Sequence, residues 1–173
     1  MDGFFGGLEQ SLRDRNWHAV LVMSLTLPDI CVKASDPSRK TNRTRYAAWF
    51  EQHVGPSYTR SVGAQQYRQE HKFLSGDDCY ALRCALLHEG STDTSEQRAS
   101  DVFDSFRFFA PGADGNVNHM NQDGGKLYLM VDVFAKDMLA GARAWWDSLT
   151  PAEQTAAKAR QLTVTTTDGG MAI

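Results

Sequence analysis

The segment WHAVLVMSLTLPDICVKAS (Trp17–Ser35) constrains this chain more than any other. Its apolar residues Ala19, Val20, Val22, Met23, Leu25 and Leu27 are too dense for a single stripe. A helix here is therefore buried on most sides and needs other elements packed around it. Asn16 precedes it as a cap, because its side-chain oxygen can accept from the free backbone N–H groups at a helix start. Pro28 lies inside the run. It lacks an N–H and crowds the preceding turn, which predicts a kink or a break near Thr26 and Leu27. The apolar stretch Ala19–Leu27 falls short of the roughly 20 residues of a membrane span, so it reads as a core helix rather than an anchor.

The neighbours that such a helix needs can be read in turn. Gly7–Arg15 suits a short helix, and the polar stretch Ser35–Arg43 a surface loop. Thr44–His53 suits a helix with Tyr46, Ala47, Trp49 and Phe50 inward, ending before Gly55-Pro56. Ser57–Lys72 is polar and supports no assignment. A helix starts at Ser75 or Asp77, with Asp77 and Asp78 in its first turn where the dipole favours negative charge. It reaches His88 and stops at Gly90, a natural left-handed residue. Val102–Ala110 is aromatic and reads as a strand. The turn-rich Pro111–Gly125 follows, then a second strand at Lys126–Val131, and the two are expected to pair as an antiparallel hairpin. Phe134–Leu149 is amphipathic, with Phe134, Met138, Leu139, Ala142, Trp145 and Trp146 on one face. Such a stripe can serve a partner, but helical spacing favours core. Thr150-Pro151-Ala152-Glu153 caps a last helix to about Leu162.

No repeat or linker divides the chain. The expected architecture is one domain, residues 1–173, mainly α: a helical bundle from about 7–90 and 132–162, an appended antiparallel β-hairpin at about 102–131, and a flexible tail, or an edge strand, at about 163–173. The 173 residues suffice for a core without disulfides or metals. Three cysteines, Cys31, Cys79 and Cys84, form no C-x-x-C pair, and MDGFFGGLEQ lacks a basic segment followed by an apolar one. Reduced thiols and a cytoplasmic location are expected.

Charge narrows the functional classes. A net charge of −3 argues against a protein that coats nucleic acid through bulk positive charge, so any nucleic-acid chemistry must be local. Arg39, Lys40, Arg43 and Arg45 form the best local cluster for phosphate contacts, and a solvated loop otherwise. No cofactor is implied, and no metal. Cys79, Cys84 and His88 lack the fourth ligand and the spacing of a structural zinc site. Residues 114–118 imitate a calcium loop but place His119 where glycine belongs and Gly125 where glutamate belongs. His119 remains a loop histidine that could join a site.

The densest chemical signal is Tyr80–Gly90, YALRCALLHEG, with Arg83 and His88 in R-x4-H spacing. A histidine can take the proton from a ribose 2′-hydroxyl or give one to a leaving oxygen. An arginine can hold a phosphate with two parallel donors and stabilise its developing charge. Metal-free RNA cleavage needs no more. Five residues on an ideal helix turn about 500°, so the two side chains start about 140° apart and about 7.5 Å apart along the axis. On that geometry they converge only when two copies meet across a twofold axis, which predicts a homodimer. Arg13 and His18 share the spacing but straddle the helix start at Asn16. The plain alternative makes His88 a partner of the helix dipole and puts Arg83 in an ion pair with Asp78, Glu70 or Glu89.

This segment resembles the HEPN superfamily, whose ribonuclease members carry an arginine and a histidine four to six residues apart in an all-helical domain. The resemblance implies a metal-independent endoribonuclease with Arg83 and His88 catalytic at a dimer interface. It also implies an RNA substrate and, as in many relatives, a place in a toxin–antitoxin or other defence system with an antitoxin or other protein partner. Nuclease members usually carry a polar residue after the arginine, where this chain has Cys84. Some relatives are non-catalytic binding or scaffold modules, and an interaction module with Arg83 and His88 structural is the alternative. The chain is also similar to uncharacterised bacterial proteins that pair an LPDIC-like segment, here Leu27–Cys31, with YALRC-x-LLH-x-G.

Overall fold

The computed structural model describes residues 1–38, 40–95, 103–113, 115 and 117–161. It is mainly helical: α1 (Asp2–Arg13), α2 (Trp17–Ser35), α3 (Arg43–His53), α4 (Gly76–Glu89), α5 (Val131–Ser148) and α6 (Pro151–Lys158), with five short strands between. The expected tail lies outside the described residues.

Local chemistry places the helix ends. The Asn16 side chain accepts from Ala19 N at 3.3 Å, and that of Asn42 from Arg45 N at 3.0 Å. Ser75 accepts from Asp78 N at 3.0 Å, and Thr150 forms a capping box with Glu153. Gly90, with φ +65°, ends α4 in the left-handed region that a side chain would resist.

α2 is the centre of the core, packed against α1, α3, α4, α5 and α6. Leu25, Leu27 and Cys31 are fully buried on it, against Phe134, Met138, Leu139, Ala142, Trp145 and Trp146 of α5, all buried as the periodicity requires. The break expected at Pro28 does not occur: α2 runs unbroken through it. Proline removes one rung, the N–H that Ser24 O would accept, and the packing of buried Leu25, Leu27, Pro28 and Cys31 outweighs that loss. Counted as a whole helix, α2 is also long and apolar enough to cross a bilayer by length and composition alone, which corrects the shorter apolar run read from sequence. Across the core, Tyr46 of α3 donates its hydroxyl to Leu25 O at 3.0 Å. α3 and α4 approach so closely that a Cβ on Gly76 would sit 2.5 Å from Ala47 O.

The strands differ most from expectation. β1 (Thr59–Val62) and β2 (Gln69–Lys72) form an antiparallel pair in the polar stretch that supported no assignment. Residues 60–70 are all exposed there, so no apolar alternation existed to be read. β3 (Ser105–Phe109) and β5 (Lys126–Met130) are the two expected strands, but they run parallel, with Phe106 opposite Leu127 and Phe108 opposite Leu129. This corrects the antiparallel hairpin. The chain between them returns to the starting end before β5 begins, and the antiparallel partner of β5 is β4 (Asn121–Asp123), reached by the two-residue turn Gly124-Gly125. Alternation tells which side chains face the core, and it is the same for either direction.

Candidate functional site

α4 carries both residues of the candidate pair, and the reach of Arg83 brings them together. Its Nη1 lies 3.3 Å from His88 Nε2. A guanidinium only donates, so Nε2 accepts and the neutral ring carries its proton on Nδ1. The expectation that one helix holds these groups apart is thereby corrected. The rotation between Cα positions sets where side chains start, and the long arginine chain bends across the difference. His88 is exposed in the last turn, while the Arg83 side chain retains only 22% exposure.

Arg83 is also held from behind. Its Nε donates to Asp29 Oδ2 at 2.8 Å. The partner is thus none of Asp78, Glu70 and Glu89 but a residue 54 positions away, in the LPDIC segment of α2. Burial raises the Asp29 carboxyl above the usual range, and the adjacent Arg83 charge only partly reverses this. For Arg83, burial works downward, but the charge and hydrogen bond of Asp29 outweigh it and raise its value. The pair leaves the Nη side of the guanidinium facing His88 and Nε spent on Asp29.

Beside this pair the helices border an open cavity of about 1160 Å3, with Asp29, Tyr80 and Arg83 in its wall. Tyr80 packs edge-on against Tyr46, centroids 5.3 Å apart, and burial followed by the neighbouring Cys84 pushes its phenol up. The α2–α3 loop borders the same wall: Thr41 donates its hydroxyl to Asp29 O at 3.4 Å.

Residues of the expected phosphate-binding cluster are held by protein contacts. Arg39 lies outside the described residues. Lys40 is exposed. Arg43 pairs with Asp77 in the first turn of α4, Nε to Oδ1 at 2.7 Å. Arg45 donates to Lys40 O at 3.2 Å and sits 3.5 Å from Asp36 Oδ2, tying down the loop that carries it.

Other sequence candidates separate from the pair. Cys79 is fully buried against the Tyr46 hydroxyl, and burial pushes its thiol up to about 12. Cys84 stands half-buried on α4 beside Tyr80 and Arg83. Among the described residues no three His, Cys, Asp or Glu side chains gather as metal ligands. His119 is remote from the pair: its Nδ1 accepts from Met130 N at 3.1 Å, its ring lies 5.8 Å from that of buried Tyr58, and burial lowers its value. Sequence reasoning missed Asp29 as the arginine's partner; its only signal was the LPDIC similarity, which carried no chemistry. It also missed Lys33, Lys158 and Arg160, which reach the cavity from α2, α6 and the turn after α6. No protein-family model, curated protein or solved structure matches this chain.

Proposed function

We propose that this chain is a HEPN-like, metal-independent endoribonuclease of a defence or toxin–antitoxin type system, working in the cytoplasm as a homodimer with an antitoxin or other protein partner. The observation that carries the reading is the 3.3 Å contact between Arg83 Nη1 and an exposed His88 Nε2. A phosphodiester entering beside them meets a fixed positive charge and an imidazole in one place. With substrate bound, Nε2 of His88 exchanges Arg83 for the 2′-hydroxyl and takes its proton, the 2′-oxygen bonds to the adjacent phosphorus, and the 5′-oxygen leaves with a proton from a second acid. Arg83 holds the non-bridging oxygens as charge develops on them, with Asp29 positioning it from behind. Each copy contributes one such imidazole, so a second copy supplies the second acid. Lys40, Arg43 and Arg45, with Arg39, would meet flanking phosphates.

The test is cleavage of single-stranded RNA in the presence of EDTA. His88→Ala and Arg83→Ala each reduce it about 100-fold or more, and light scattering gives twice the chain mass. Cleavage that survives either substitution removes the assignment. The half-buried Arg83–Asp29 pair favours a second reading, a non-catalytic interaction module in which Arg83 ties α4 to α2. On that reading no cleavage occurs, and Arg83→Ala changes stability while His88→Ala changes nothing.

A further inference from the structure

The open cavity and the candidate pair share one side chain. Arg83 stands in the cavity wall, and the same guanidinium touches His88 through Nη1 at 3.3 Å. A phosphate held there is joined to its nucleoside by a short ester linkage, so the sugar and base must find room close by. The cavity adjoins Arg83, and its volume of about 1160 Å3 is just above the roughly 300–1,000 Å3 typical of small-molecule sites.

Two features of the lining select what fits. Phe4 of α1 and Met23, Ile30 and Ala34 of α2 are apolar, and Tyr80 of α4 adds an aromatic ring fixed edge-on against Tyr46 at 5.3 Å. A flat base stacks on such a surface, because its faces need no polar partner. The Asp29 carboxyl is the other feature. Its Oδ2 accepts from Arg83 Nε at 2.8 Å, the side chain retains 20% exposure, and Oδ1 accepts no hydrogen bond among the described residues. A carboxylate oxygen left open beside an apolar floor is satisfied by an N–H donor of a ligand. Arg83 and Arg160 in the same lining disfavour a cation, which leaves neutral N–H groups.

We infer that this cavity receives the nucleobase next to the bound phosphate, and that it favours guanine. Among the four RNA bases only guanine sets two neutral donors, N1–H and N2–H, side by side, the pattern that a carboxylate accepts. Adenine and cytosine place a ring acceptor beside their amino group, and uracil flanks its one N–H with two carbonyls, so each aims lone pairs at Asp29. Guanine gives one N–H to Oδ1 and the other to the remaining lone pair of Oδ2, and its faces cover the apolar floor. The assignment rests on the reading that Arg83 and His88 take a phosphate of RNA, and it adds which nucleotide they meet.

Calorimetric titration of the full chain with guanosine, inosine and uridine monophosphates tests it, with the phosphate at 3′ in one series and at 5′ in the other to cover both sides of the scissile bond. In at least one series the guanosine compound binds saturably, one per chain. It binds at least tenfold more tightly than the uridine compound or the inosine compound, which lacks the N2 amino group. Asp29→Asn replaces an acceptor by a donor and brings the guanosine-to-inosine ratio close to one. Were Asp29 only a support for Arg83, both nucleotides would weaken equally and the ratio would hold. Far-UV circular dichroism checks the fold. Should that variant unfold or lose all binding, Ala34→Trp, which fills the floor, replaces it: guanosine monophosphate binding weakened at least tenfold supports the assignment, and unchanged binding overturns it. Cleavage of an RNA containing all four bases is mapped alongside, in EDTA. Cuts beside guanosine support the assignment, whereas cuts spread evenly overturn it and leave the nuclease standing. Selective guanosine monophosphate binding with no cleavage keeps the base site and removes the nuclease. Equal binding of the guanosine and inosine compounds, no saturable binding in either series, or an unchanged ratio in Asp29→Asn overturns the base site.

Discussion

Near its N-terminal end α4 spends the polar groups of Ser75 and Asp78 inside the protein; at its C-terminal end it turns His88 outward. Asp78, only 1% exposed, accepts from the Ser75 hydroxyl at 2.6 Å and from Phe103 N at 3.3 Å, holding the chain that leads into β3. Gly76 lies against the backbone of α3. Further along the helix, Arg83 and exposed His88 touch each other. The difference teaches that a helix can be anchored at one end so that charged groups at the other are held without being buried. The Asp78 carboxylate inside the protein has an acceptor bond from the fold on each oxygen. A half-buried arginine keeps one side for structure and one for a ligand.

Four measurements break or sharpen this contrast. The largest effect belongs to Asp78→Ala, which strands the Phe103 N–H in the interior. It costs about 3 kcal/mol in denaturant unfolding, and a loss below about 1 kcal/mol would deny the anchor. Arg83→Ala comes next at about 2 kcal/mol, because it leaves Asp29 half-buried without its cation. Adding Asp29→Ala restores more than half of that loss. The sign follows from the titration. Asp29 binds its proton more readily in the folded chain than in the unfolded one, since burial outweighs the Arg83 charge. Its contribution is therefore full below the ordinary aspartate value of 3.8 and fades as pH rises through its raised folded value. At neutral pH the pair positions Arg83 more than it stabilises the fold.

His119 gives a smaller effect, read as a slope. Burial lowers its value in the folded state, so the stability it contributes is present above the ordinary histidine value of 6.5 and lost as pH falls through its lowered folded value. The thermal midpoint is expected to drop between about pH 7 and pH 5, less steeply in His119→Gln. An unchanged slope would place the titration elsewhere, with His53 the next group whose value burial lowers. The smallest effect is expected of Arg43→Ala. Its pair with Asp77 is exposed on both sides, so its loss costs under about 0.5 kcal/mol. A loss near that of Arg83→Ala would erase the distinction between the two ion pairs.

Much of this was legible beforehand, and the exceptions share a cause. Asn16, Ser75, Gly90 and the Thr150–Glu153 box announced helix ends because each acts on N–H and C=O groups within four residues of itself. The stripe on α5 was legible because helical spacing alone decides which residues share a face. The β1–β2 pair was not, since its exposed residues alternate nothing apolar. Within the candidate site, Arg83 and His88 were named from their spacing and their chemistry. Their contact was not foreseen, because rotation per residue says nothing about where a long flexible side chain ends.

Residue order alone therefore settled the helices, their caps and the inward faces, all of them outcomes of forces that act over one or two turns. Packing in three dimensions decided the parallel course of β3 and β5, the choice of Asp29 as partner of Arg83, and the cavity ringed by Lys33, Lys158 and Arg160. Each of these joins positions far apart in the chain, and no local rule ranks one distant partner above another. Burial of the shared core does that: packing α4 against α2 brings Arg83 to Asp29.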